Sequence, residues 1–153
     1  MLDADLTALE NDAVEEYTPE LVALRNHVLF IHTTIESILH SMILKNVVGS
    51  DYRNVIKMAL GLLKIGPLLN RSEYLPLVEA CIELNLIESK EGEKIKGVNN
   101  HRRCFAHPNG YKKQMDKYRK DKEFYLETQR RLVSALKVVL NANDRLNKKL
   151  DKK

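Results

Sequence analysis

Between Leu21 and Ile43 the apolar residues fall at Leu21, Leu24, Val28, Ile31, Ile35, Leu39, Met42 and Ile43. These steps of mostly three and four place them on one stripe of an α-helix and exclude the alternation of a half-buried strand. A stripe this long must be covered, so the chain has to supply further elements to pack on it. Thr18 before Pro19 has the cap-then-proline form of a helix start, and Val48-Gly49 closes the pattern. The same period recurs downstream. Ser50 is expected to cap a second helix through Val55, Met58, Ala59, Leu62 and Leu63, stopped by Gly66-Pro67. Ser72 is expected to cap a third, carrying Leu75, Val78, Ile82 and Leu86, with Pro76 early enough to be tolerated. Ser89 precedes a fourth, which runs through Ile95 and Val98 to Phe105 and Ala106. After a turn at Asn109-Gly110, one long charged helix carries Met115, Tyr118, Tyr125, Leu132, Leu136, Val139 and Leu140. No segment reads as a strand, so the expected fold is all-α, a roughly antiparallel bundle of four or five helices.

A chain of 153 residues, 44% of them hydrophobic, is enough for one domain around one core. The expected division is an acidic arm or short helix over 1–17, a single helical domain over 18–147 and a basic tail over 148–153 that frays. No unbroken apolar run reaches the ~20 residues of a membrane span, and the N-terminus is acidic where a signal peptide would be basic and then apolar. The expected address is the cytoplasm, with no membrane partner. Cys81 and Cys104 stand alone without CxxC spacing, which suits small reduced core residues rather than a disulfide or zinc ligands. Nothing in the pattern implies a metal or other cofactor.

Charge is unevenly placed. Residues 1–25 hold seven acids against the single base Arg25, whereas residues 90–122 hold eleven bases against four acids, a local balance of +7. Such a basic segment is what a polyanion-binding surface requires, although a solvated helix face has the same composition.

Within it lies Val98–His107, VNNHRRCFAH, followed directly by Pro108. Proline disfavours the α conformation in the residue before it, so His107 is expected at a helix C-terminus. The free carbonyls there favour a cation, and imidazole ordinarily titrates near neutrality, which suits proton exchange. Arg102 and Arg103 add fixed positive charge suited to a phosphate. Arg103 and His107, four apart, share a helical face, while Arg102 is rotated away by roughly 140°, so the two arginines have different tasks. An arginine separated by four to six residues from a histidine occurs twice, as Arg25 to His32 and as Arg102 to His107. The first lies inside the long amphipathic helix, where His27, His32 and His40 read as buried or boundary residues.

The string from Leu84 to Pro108, LNLIESKEGEKIKGVNNHRRCFAHP, together with the long helix containing HTTIESILHSMIL and its Glu36, resembles the HEPN superfamily (higher eukaryotes and prokaryotes nucleotide-binding domain) over roughly residues 19–140. The resemblance implies a metal-independent endoribonuclease, or an RNA-binding descendant of one. It also implies a homodimer with the two motifs facing each other. Arg102 matches the motif arginine and His107 the motif histidine. The position after the arginine, usually asparagine or another small polar residue, is Arg103 here. That second cation either adds a phosphate contact or displaces the first.

Metal-free RNA cleavage needs the 2′-hydroxyl deprotonated, the leaving oxygen protonated and the charge on phosphorus stabilised. His107 supplies proton transfer and Arg102 the charge; the same histidine of a second copy, or a water, completes the pair. Asn99, Asn100 and His101 are candidates for base or sugar contacts or for orienting the catalytic pair. Tyr111 is placed to stack on a base, and Lys112 and Lys113 extend the RNA-binding surface. The leading expectation is a ribonuclease acting on single-stranded RNA, a toxin or defence nuclease with an antitoxin partner. A non-catalytic RNA-binding or regulatory dimer, of the kind that mannitol-operon-repressor-like proteins resemble, is the alternative. A third reading is structural, with Arg102 neutralising Glu36 between helices and His107 capping a helix end.

Overall fold

The structure is a computed structural model that describes residues 17–49 and 74–152. Within them the chain forms α1 Pro19–Val48, α2 Tyr74–Glu83, α3 Ser89–Ala106, a 3-10 turn Pro108–Tyr111, α4 Lys112–Lys120 and α5 Lys122–Asp151. No strand occurs among the described residues, so the fold class is all-α. Of the acidic arm expected over 1–17, residues 1–16 lie outside the described residues, as do the helix expected between Ser50 and Pro67 and the Ser72 cap.

Helix α1 follows the pattern in its sequence. Thr18 Oγ1 accepts a hydrogen bond from the Leu21 N–H at 3.2 Å, Pro19 opens the helix, and Gly49 at φ 75° closes it, its N–H bonded to the Lys45 carbonyl. All eight residues of the opening stripe are buried. By length and composition α1 could cross a membrane; here its stripe packs against α2, α3 and α5.

The other boundaries follow local chemistry. Helix α2 ends in a left-handed turn at Asn85, φ 58°, where the Leu86 N–H reaches back to the Cys81 carbonyl. Pro76 sits in the first turn of α2, where its missing N–H costs nothing. Helix α3 starts one residue earlier than expected: Ser89 is its first residue and Glu88 the cap, with the Glu88 N–H donating to Glu91 Oε1 at 3.0 Å. Its other end is where proline chemistry puts it, at Ala106, with His107 leaving the helical region at φ −132°, ψ 63°.

The long terminal helix is a correction to the sequence reading: it is two helices, broken at Asp121. Met115 and Tyr118 are buried, but the next position on that stripe is Asp121-Lys122, so the apolar face cannot continue. Asp121 is extended (φ −104°, ψ 99°) and caps α5 by accepting the Phe124 N–H at 3.0 Å. The break lets Tyr118 lie between Phe105 and Phe124, at ring-centre distances of 5.1 and 5.3 Å.

Pairs of contacts fix the helix directions. His32 meets Asn99 while Tyr17 meets Phe105, so α1 and α3 are antiparallel. Glu91 meets Arg145 at 2.8 Å, while the Arg131 charge acts on His101, so α3 and α5 are antiparallel. Helices α1 and α5 are parallel: the Glu20 carbonyl accepts from Tyr125, and Lys45 donates to Asn143 and Asn147. Helix α3 therefore lies among α1, α2 and α5, and its sequence is exposed to three different neighbours. Cys81 and Cys104 are buried free thiols, and burial pushes the Cys81 thiol up to about 12, consistent with a packing role.

Two glycines of α3 differ in purpose. A Cβ at Gly92 would stand 2.6 Å from Ile82 Cδ1, so Gly92 allows the close approach of α2. A Cβ at Gly97 would meet nothing within 4 Å. Gly97→Ala should thus gain helix propensity without a clash, about 1 kcal/mol, and raise the melting temperature by roughly 3 °C in a calorimetric scan.

Candidate functional site

A helix turns about 100° per residue, so neighbours in VNNHRRCFAH point to different sides of α3. Asn99, Arg102 and Arg103 share one side and line a cleft of about 280 Å³ with His32 and Glu36 of α1 and Tyr74 of α2. Both arginines are exposed, whereas His32 and Asn99 retain only 4% and 7% of their exposure. His32 donates from Nε2 to Asn99 Oδ1 at 3.3 Å and stacks on the Tyr74 ring at 4.1 Å, with the planes 20° apart. The Tyr74 hydroxyl donates to the Ile95 carbonyl at 2.6 Å. The cleft wall is thus a fixed chain of contacts linking α2, α1 and α3.

Electrostatics follow from that packing. Burial, with the Arg102 guanidinium nearby, lowers His32 to about 4 despite the opposing Asn99 hydrogen bond, so the imidazole is neutral at pH 7. Burial and the Glu36 charge raise the Tyr74 hydroxyl above its ordinary value, so it remains a phenol. Among the described residues, the Glu36 carboxylate stands 3.8 Å from His32 Nδ1, which on a neutral ring that donates through Nε2 carries no proton, so the two form no ion pair. The purely structural reading of Arg102 needed a direct Glu36–Arg102 pair, and that pair is not formed. What the cleft offers instead is two guanidiniums and one carboxylate, open to solvent, over a neutral and hydrogen-bonded wall.

His107 is exposed at the C-cap of α3, one turn beyond the residues that line the cleft, with its N–H bonded to the Arg103 carbonyl at 2.9 Å. The remaining sequence candidates divide. Asn100 and His101 lie on the other side of α3, where His101 Nδ1 hydrogen-bonds the Tyr118 hydroxyl. Tyr111, 39% exposed, lines a second hollow of about 290 Å³ with Arg103, Cys104 and Tyr118. Lys112 and Lys113 are exposed at the start of α4. Asn99 is the residue whose role is clearest: it is a buried partner of His32, not an exposed polar position.

The sequence offered Glu36 as a partner of Arg102 across helices, and the structure does bring the two to one cleft, without a direct ion pair. Sequence reasoning read His32 as a satisfied buried residue, which it is, yet missed its place in the cleft wall. Tyr74 was not considered. The available signal was that His32 and Glu36, four apart, share one side of α1.

No family model, no curated protein and no solved structure matches this chain at a significant level.

Proposed function

We propose that this chain is a metal-independent endoribonuclease of HEPN type that acts on single-stranded RNA as a homodimer. One observation carries the reading: Arg102, Arg103 and Asn99 converge with Glu36 on an open cleft at the end of the helix that bears the exposed His107. Arg102 holds the scissile phosphate and stabilises the charge that builds on it; its planar fork fits two phosphate oxygens at once. Arg103 holds the same or the adjacent phosphate. His107 protonates the leaving oxygen. Glu36, on the facing helix, gives the single chain a base for the 2′-hydroxyl, a task otherwise left to water or to the second copy. His32 and Asn99 keep the wall rigid and dry, which strengthens the charge interactions beside them.

The test is an assay of the purified chain on single-stranded RNA with EDTA present, run beside gel retention on the same RNA. The expected result is strand scission leaving cyclic phosphate ends. Retention without scission would overturn the enzymatic reading in favour of a non-catalytic RNA-binding dimer, for which the second cation at Arg103 is the supporting feature.

A further inference from the structure

Three hollows follow one another around the C-terminal half of α3, and each shares residues with the next. The Arg102 cleft and the 290 Å³ hollow share Arg103. That hollow and a larger groove of about 530 Å³, between α3 and α5, share Asn100, His101 and Gln114. A continuous surface path therefore leads from the two guanidiniums past Tyr111 into the groove. It runs around one helix, about 10–12 Å wide with its side chains, so the guanidiniums and the groove lie more than one nucleotide apart along a bound strand.

We infer that the groove between α3 and α5 is a subsite for one unpaired nucleobase of the RNA, a short run of strand away from the phosphate held by Arg102. This rests on the ribonuclease reading above. The groove has the size of a small-molecule site, which typically spans ~300–1,000 Å³. Val98, Leu132 and Phe124 give it apolar walls, and Gly97 leaves it open, since a Cβ there would enter empty space.

Polar side chains make up the rest of its lining, with the carboxamides of Asn100 and Gln114 and the ring of His101 at the end nearest Tyr111. The buried Tyr118 hydroxyl, at the bottom of the adjoining hollow, bonds His101 and so fixes that ring at the groove's end. A carboxamide presents a donor beside an acceptor, the arrangement that matches the edge of an unpaired base. Lys94 and Arg131, against the single carboxylate of Glu93, leave the groove lining net positive for the phosphate of the same nucleotide. An aliphatic ligand would leave those amides unanswered, whereas a planar base between apolar walls uses both features.

The test titrates the full, isotope-labelled chain with each of the four ribonucleoside 5′-monophosphates and follows backbone and side-chain resonances. The expected result is saturable shifts at Gly97, Asn100, His101 and Gln114. One nucleotide should bind roughly tenfold more tightly than the weakest, the discrimination that one edge-reading amide provides. Gly97→Leu, which fills the groove, should abolish these shifts. Asn100→Ala and Gln114→Ala, both away from the core, should reduce the preference among bases. Absence of saturable shifts, shifts confined to Arg102 and Arg103, or wild-type binding by Gly97→Leu would each overturn the inference. RNA cleavage without groove binding would sink the subsite alone. Nucleotide binding in the groove of a chain that neither retains nor cuts RNA would sink the ribonuclease reading while leaving the groove as a nucleotide site.

Discussion

Arg102→Ala is expected to lower the rate of metal-free RNA cleavage by roughly 10²- to 10³-fold, the usual cost of removing one donor to a developing anion. His107→Ala should lower it by roughly 10²- to 10⁴-fold, the contribution of one positioned proton-transfer group. Both side chains are exposed, so neither truncation opens a cavity, and each variant should melt within a few degrees of the parent. The two variants should differ in binding. His107→Ala keeps Arg102, Arg103 and the basic stretch, so retention on RNA persists with its salt dependence unchanged. Arg102→Ala removes a phosphate contact, which flattens that dependence. Arg102→Lys restores charge without the two-pronged fork and should recover binding better than turnover. Residual scission identical in all three variants and the parent would mean that the cleft does not carry the activity.

Acid should destabilise the fold through His32 by about 3 kcal/mol. In the folded chain this imidazole is held neutral down to about 4, against an ordinary value of 6.5, by burial and by the Arg102 charge. Between those two values the unfolded chain binds a proton that the folded chain does not, so stability falls as the pH falls. The contribution is complete above pH 6.5 and is lost on descending to about 4. His101, lowered by burial and by Arg131, acts in the same direction. Urea unfolding at pH 7, 5.5 and 4 reads the effect as a falling midpoint at constant slope. His32→Gln keeps a donor for Asn99 without a titrating ring and should flatten that profile, at the cost of the Tyr74 stack. A midpoint that does not move between pH 7 and 4 in the parent would contradict the packing described for His32.

Where the sequence was legible, short-range chemistry decided the outcome. Thr18-Pro19 and Val48-Gly49 bound α1 because a cap, a proline and a glycine act within a few residues of themselves. His107 ends α3 because Pro108 follows it. The burial of Leu21 through Ile43 follows from a period that only one helical stripe satisfies. The break at Asp121 was missed: the period was carried across the missing apolar step after Tyr118, and the aromatic stacking that uses the break is a tertiary feature. Ser89 misled by one residue, since serine is a good cap in general and only the Glu88–Glu91 bond selects the earlier position.

The chain's own order of residues thus determined the all-α class, the end of α3 and the presence of two arginines beside a terminal histidine. The sequence suggested Glu36 opposite Arg102; tertiary structure alone brought His32 and Tyr74 to the same cleft. Glu36 and His32 lie more than sixty positions before Arg102, and Tyr74 comes from yet another helix; no local period relates the three. Their meeting depends on how α1, α2 and α3 turn about their axes when the core closes. Rotating α3 by one residue, about 100°, would present His101 or Arg103 in place of Arg102. That rotation is set by Ile95, Val98, Cys104 and Phe105 seeking burial, and burial is a property of the assembled core rather than of any one segment.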